Sequence, residues 1–284
     1  MDGKMNNNKD VELICLYWTT AGIIPSCGEI SRFDFKDRVR AASRAGFKGI
    51  GIWHTELEHI QAHRSLKEMK NILDDNGMKY IELEFLTDWF LDGARKGESD
   101  SRKRRLLEAS QALGAKHVKV GDFYNSVIPM PRIIDAFAAL CLEAQAYGAK
   151  IAFEIMGCAM IDNIPDAVRM VEGAGKENAG LIIDIYQVST LGWKVEDIRR
   201  IPLEYLLNVE LNDGTLSGSP HHDPSNRRFC GEGEYDIRGL IQCVQAMGYR
   251  GPWAVEVISE KLSSLPLEEL SLRAFNTSMA MFAG

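Results

Sequence analysis

The stretch Phe137-Ala-Ala-Leu-Cys-Leu-Glu-Ala-Gln-Ala-Tyr-Gly148-Ala-Lys150-Ile-Ala-Phe-Glu154-Ile155 contains the unit from which this chain is built. An amphipathic helical pattern over 133–147 ends at a glycine, the residue that closes a last helical turn in the left-handed conformation without a Cβ penalty. One residue and a lysine follow, then a short apolar run that reads as a buried parallel strand. The same punctuation recurs at Gly46-Phe-Lys48, Gly77-Met-Lys79, Gly114-Ala-Lys116 and Gly248-Tyr-Arg250. Reading outward gives eight strand candidates, at 12–17, 49–53, 79–85, 117–120, 150–155, 180–185, 206–211 and 253–258. Helical patterns alternate with them at 35–45, 65–75, 101–113, 133–147, 164–172 and 237–247, and a last one at 267–282 closes the chain. Strict alternation implies a parallel sheet with right-handed crossovers. Eight units favour a single (β/α)₈ TIM barrel of the α/β class, and 284 residues suit a fold that typically takes roughly 250. No Gly-x-Gly-x-x-Gly follows the first strand, which argues against a dinucleotide-binding sheet. The polar, Asn-rich residues 1–9 are expected to be a disordered tail, and residues 10–284 the barrel.

Composition is that of an ordinary globular domain, with 45% hydrophobic and 26% charged residues. The formal charge of -7 provides no bulk attraction for nucleic acid. The six cysteines include no C-x-x-C pair, so they read as small buried apolar residues in a reducing compartment. With no signal-peptide pattern and no apolar run of spanning length, the expectation is a cytoplasmic protein with no membrane partner.

A barrel of this kind builds its active site at the C-terminal ends of its strands. Those ends carry Trp18, His54, Glu84, Lys119, Glu154, Asp184, Glu210 and Glu256. Four of the carboxylates, Glu154, Asp184, Glu210 and Glu256, sit in apolar runs, and burying each costs several kcal/mol unless something compensates it. Few basic residues lie near them in sequence. A bound cation is the simplest compensation, and an all-oxygen set selects Mg²⁺ or Mn²⁺ over Zn²⁺ or Co²⁺. The plainer alternative is that individual strand-end carboxylates cap helices or pair with Lys and Arg.

The runs Phe153-Glu154-Ile155, Ile183-Asp184-Ile-Tyr-Gln187 and Glu210-Leu-Asn-Asp213-Gly214 resemble the xylose-isomerase-like sugar isomerase/epimerase barrels. So does Arg227-Arg228-Phe-Cys-Gly231-Glu-Gly233-Glu, followed by Gly248-Tyr-Arg-Gly-Pro-Trp-Ala-Val-Glu256. The resemblance implies a single divalent cation held by Glu154, Asp184 and Glu256. The fourth ligand position, usually His in the family, is Glu210 here. It also implies proton transfer beside a carbonyl, with Glu154 and Glu256 facing each other as the catalytic pair. The substrate would be a sugar or cyclic polyol hydroxyketone. Barrels of the family often associate, so a homo-oligomer is expected, with no interface specified by the sequence.

Arg228, His54, Lys119, Gln187 and Trp18 are the substrate-binding candidates. Gln187 stands where many members carry His, which argues against carrying over a sugar-epimerase specificity. For Arg228 the structural alternative is a loop ion pair with Glu232 or Glu234, for Lys119 neutralisation of a ligand carboxylate, and for Glu84 a pair with Lys119. Trp18, Trp53, Trp89 and Phe123 either meet the C–H faces of a ring or fill the barrel mouth. His221-His222-Asp223 reads as a solvated loop, and Arg102-Lys103-Arg104-Arg105 as an exposed face at the opening of a helix.

Three other readings compete with an isomerase or epimerase. Elimination of water, as in the dehydroshikimate- or inosose-dehydratase-like relatives, begins with the same deprotonation. A DNA-repair endonuclease would need more histidines and a more basic surface. A degenerate barrel serving as a binding subunit is the non-enzymatic alternative, kept open by Glu210 and Gln187.

Overall fold

The computed structural model describes residues 11–216 and 225–283. Eight parallel strands close into one barrel in sequence order: β1 (Leu13–Cys15), β2 (Gly49–Trp53), β3 (Tyr80–Leu86), β4 (His117–Val120), β5 (Ile151–Glu154), β6 (Ala179–Asp184), β7 (Leu206–Leu211) and β8 (Trp253–Val255). The expected (β/α)₈ barrel is therefore present, while the expected tail at 1–9 and His221-His222-Asp223 lie outside the described residues. The glycines of all five repeats have positive φ, from 68° to 118°, as a left-handed turn from helix into strand requires.

The helices are α1 (Tyr17–Thr20), α2 (Phe35–Ala45), α3 (His54–Gln61), α4 (Leu66–Asp75), α5 (Gly93–Leu113), α6 (Met130–Gln145), α7 (Ile164–Ala174), α8 (Ile185–Thr190), α9 (Ile237–Ala246) and α10 (Leu267–Ala280). Three short ones, α1, α3 and α8, begin at or just after a strand end and were invisible to periodicity because they are too brief to show an apolar stripe. Helix α5 starts at Gly93, eight residues before the polar pattern suggests, so Arg102 to Arg105 lie inside a helix and not at its opening. Among the described residues no helix is long and apolar enough to cross a membrane.

What positions the site is the two-residue alternation along the strands. Leu13, Cys15, Ile81, Leu83, Val118, Val120, Ile151, Phe153, Leu181, Ile183, Val209 and Val255 point outward into one continuous core beneath the helices. Their alternates point inward. Ile14, Leu16 and Ala254 make an apolar plug inside the barrel. The remaining inward positions include Glu82 and Glu84 on β3, His117 and Lys119 on β4, Glu154 on β5, Asp184 on β6, and Asn208 and Glu210 on β7, all buried. Gly51 on β2 leaves room for this layer, since a side chain there would run into the Glu84 carboxylate. Strands β3 to β7 are apolar on one face and carry charged side chains on the other, a departure from uniformly apolar parallel strands. Four of the six cysteines are buried, but Cys27 and Cys158 are exposed, and all six are free.

Candidate active site

A cavity of about 600 Å³ opens at the C-terminal ends of the strands, lined by Trp18, Trp53, Phe85, Phe123, Met156, Tyr186, Leu191 and Ile258, with Glu154, Glu256, Lys119, Arg227, Gln187 and Glu29 among its polar groups. Trp53, Phe85 and Phe123 form a stacked row, with centroids 5.9 and 4.8 Å apart. Trp18 meets Trp53 edge-on at 5.1 Å. Trp89 does not join this wall; it packs against Phe90 and Phe137. One side of the cavity is thus aromatic and the other ionic.

The ionic side rests on strand register. Asp184 at the end of β6 is paired with Glu210 on β7, which in turn is paired with Ala254, two residues before Glu256. One oxygen each of Glu154, Asp184 and Glu210 lies within 4.8 Å of the others, and all three residues are buried. Three of the four expected ligands therefore form a compact triad. Glu256 faces the same centre but is engaged by cations, with Oε2 2.9 Å from Arg227 and Oε1 3.6 Å from Lys119. Asp184 also closes a helix end: Oδ1 accepts from the Tyr186 N–H at 2.9 Å, capping α8, and from Asn212 at 2.7 Å. Its Oδ2 accepts from Arg227 at 2.9 Å.

The scarcity of nearby basic residues in the sequence does not hold in space. Lys119 Nζ, only 1% exposed, lies 2.7 Å from Glu210, 3.4 Å from Glu154, 3.6 Å from Glu84 and 3.9 Å from Glu82. Arg227 arrives from the segment between β7 and β8, bridges Asp184 and Glu256, and lies over the Tyr186 ring at 4.4 Å. Both cations come from elements remote in sequence; Lys119 is the strand-end lysine that the sequence offers as a partner for these carboxylates, whereas counting nearby charges does not find Arg227. Even so, among the described residues six buried carboxylates, those of Glu82, Glu84, Glu154, Asp184, Glu210 and Glu256, outnumber the cations in contact with them, Lys119 and Arg227.

Burial resists that excess charge. It pushes Glu154 up to about 7 and Glu84 up to about 8, with like charges adding to the effect and Lys119 opposing it. Burial and neighbouring carboxylates also raise Asp184, and raise Glu210 strongly. Glu82 is the exception: burial would raise it, but His117, 3.0 Å away, and Lys119 together hold it down to about 2. Glu210 Oε2 and Glu84 Oε2 have no hydrogen-bond partner among the described residues. A buried all-oxygen triad with an unpartnered carboxylate oxygen suits a hard divalent cation, which would favour the ionised carboxylates that burial alone resists.

The remaining candidates divide. Gln187 lines the cavity, its Oε1 accepting from the Gly157 N–H at 3.1 Å. Trp18 lines it as well. His54 does not; its Nδ1 is 3.1 Å from the Thr55 hydroxyl and its Nε2 3.9 Å from Glu29, and burial lowers it to about 4. Arg228 is also outside the lining, its guanidinium donating to the Glu232 carbonyl at 3.0 Å. Its backbone is bridged to Asp213, and it is Arg227, one residue earlier, whose side chain enters the site. Which member of that Arg-Arg pair turns inward depends on the bridge, and the sequence does not show it. Glu82 was also missed, although its spacing of two from Glu84 on a strand was the available signal.

The Gly-Glu-Gly turn has its own anchor. Asp213 accepts from the N–H groups of Gly214, Gly231, Gly233 and Tyr235 at 2.8 to 3.0 Å. A side chain at 233 would collide with that carboxylate.

The chain is similar to a 3-dehydroshikimate dehydratase of Pseudomonas aeruginosa, 26% identical over 81% of this chain, which spans 37% of the length of that relative. It is 22% identical to an inosose isomerase of Halalkalibacterium halodurans, over 78% of this chain and 81% of the relative. Among solved structures, the IolI protein with a bound zinc atom superposes with a TM-score of 0.84 at 19% identity, covering 96% of this chain and 98% of that one. A D-allulose 3-epimerase from Methylomonas sp. in complex with D-allulose gives a TM-score of 0.70 at 16% identity, covering 94% and 96%. Residues 39–277 match the family described as xylose isomerase-like TIM barrel. With an eight-stranded parallel barrel and that match across most of its length, the chain belongs to the xylose isomerase-like TIM-barrel family.

Proposed function

We propose that this barrel is a divalent-metal-dependent isomerase or epimerase that shifts a proton beside the carbonyl of a sugar- or polyol-derived hydroxyketone. The observation that carries the reading is the placement of Glu154 and Glu256 at the cavity surface, above the fully buried Asp184 and Glu210. Glu154, Asp184, Glu210 and Glu256 would hold the ion, Mn²⁺ or Mg²⁺ in preference to Zn²⁺ or Co²⁺. When bound, the cation supplies stabilisation of negative charge developing on the substrate oxygens. Glu154, at the cavity surface, is placed to take a proton and to return it; burial raises its carboxyl in the metal-free site, and a bound cation would lower it again. Glu256 is the partner on the other side of the cavity, and Arg227 fixes its carboxylate. The aromatic row of Trp53, Phe85 and Phe123 presents flat apolar faces to a ring, while Gln187 and Lys119 offer polar contacts.

A dehydratase reading shares the first proton abstraction and is favoured by the 26% identity to the 3-dehydroshikimate dehydratase. One experiment tests both. The purified protein is incubated with Mn²⁺ in D₂O and a panel of ketoses, inososes and dehydroshikimate, and followed by NMR and ultraviolet absorbance. Deuterium uptake without loss of water supports the isomerase, and a new conjugated chromophore supports the dehydratase. No exchange and no chromophore across the panel, with or without metal, would remove α-deprotonation of these substrates from the account.

A further inference from the structure

The β4 lysine stands where an ion would be expected to stand. Five carboxylates, those of Glu82, Glu84, Glu154, Glu210 and Glu256, come within 3.9 Å of the single Nζ of Lys119, the shortest contact being 2.7 Å to Glu210. Two of the three residues in the compact triad, Glu154 and Glu210, are among these contacts. The third, Asp184, is held by Arg227. The lysine reaches this place from within the barrel wall, enclosed to 1% exposure, with the Phe85 ring 6.0 Å away. Glu210 and Lys119 thus form a close pair at the position where the family resemblance implies a neutral imidazole.

We propose that Lys119 is the resident cation of this site, its ammonium competing with a divalent ion for the carboxylates of Glu154, Glu210 and Glu256, so that this residue sets how tightly metal is held. The inference rests on the metal-dependent reading above. A divalent ion gripped by the same oxygens would stand beside the ammonium in a dry, low-dielectric setting, where like charges repel strongly. Binding of the ion therefore either displaces the lysine from Glu210 or tolerates its repulsion, and both weaken the grip. Glu210 compensates in part, because an added carboxylate restores attraction that the lysine removes. Lys119 tunes the affinity for the ion, acting through the ligands and not as one of them.

The test measures Mn²⁺ binding to the metal-stripped full-length protein by electron paramagnetic resonance of the free ion, in four forms: wild type, Lys119→Met, Glu210→Gln and the double variant. Circular dichroism checks folding. The comparison of Glu210→Gln with the double variant keeps the test valid if Lys119→Met alone does not fold, since the double variant removes the ammonium together with its closest counter-charge. Removing Lys119 is expected to tighten Mn²⁺ binding at least tenfold in either background. Unchanged or weaker binding overturns the inference while leaving the metal-dependent reading intact. Failure of all four proteins to bind Mn²⁺ at millimolar concentration overturns both.

Discussion

Arg227 Nη1 lies 2.9 Å from Asp184 Oδ2 and 2.9 Å from Glu256 Oε2, so a single guanidinium nitrogen joins the ends of β6 and β8 across the barrel mouth. The bridge is buried on all sides, with Arg227 only 4% exposed. Arg228, its neighbour in sequence, has no bond to these groups among the described residues and donates to the Glu232 carbonyl. The two arginines should therefore respond very differently to substitution. Arg227→Met leaves two buried carboxylates without their partner and is expected to cost about 3 kcal/mol together with loss of activity. Arg228→Ala is expected to stay within about 0.5 kcal/mol of wild type. Urea denaturation of both variants makes the comparison, and equal losses would contradict the assignment.

Glu154 and Glu256 carry the proposed proton transfer. Replacing either with Gln keeps the shape and removes the base. Turnover is expected to fall by about 10³-fold, within the range attributed to general acid–base groups. Thermal melts should confirm that both variants remain folded. A folded Gln variant with near-normal rate would take that residue out of the mechanism.

Stability of the metal-free protein should depend on pH in a defined window. Burial lifts Glu154 to about 7 and Glu84 to about 8, whereas ordinary glutamates titrate near 4.5. Between those limits the folded state binds more protons than the unfolded chain, so stability is lost as pH rises. His54 and His117, both held below the ordinary histidine value of 6.5, act in the opposite direction only below that value. From pH 6.5 to 8 the carboxylates are unopposed by them. In EDTA the melting temperature is expected to fall over that interval, and saturating Mn²⁺ should flatten the dependence. A metal-free melting temperature that rises across it would refute the assignment of protonated carboxyls.

Phe123 ends the stacked row 4.8 Å from Phe85 and is 41% exposed at the cavity edge. If the row receives the apolar face of a ring, Phe123→Ala loses about 1 kcal/mol of binding, within the usual range for aromatic contacts. Steady-state kinetics should then give a KM raised about fivefold, with kcat little changed. A change confined to kcat would place the ring elsewhere.

Much of this molecule was legible before any coordinates, for physical reasons that apply residue by residue. Gly46, Gly77, Gly114, Gly148 and Gly248 announced the helix-to-strand turns because the left-handed conformation restricts the choice of residue. Glu154, Asp184 and Glu210 could be placed at one rim because parallel strands of a barrel share a direction. What escaped was lateral. That Lys119 reaches Glu210, or that Arg227 and not Arg228 turns inward, depends on strand register and on the bridge from Asp213 to Arg228. The short helices α1, α3 and α8 escaped because fewer than three turns leave little periodicity to read. Glu82 escaped because Glu84 was read as a strand end, while the inward face of β3 continues below it.

The Gly-Glu-Gly signature, the most recognisable segment of the chain, is anchored through one carboxylate gathering four amide hydrogens. Its glycine at 233 answers to that mooring, since a side chain there would meet the Asp213 carboxylate and the Gly214 backbone. Two barrels could share this segment letter for letter and still accept unrelated ligands. Differences in diet among such proteins should be sought instead along the wall of rings and in the amino acid that β4 sends toward the acids.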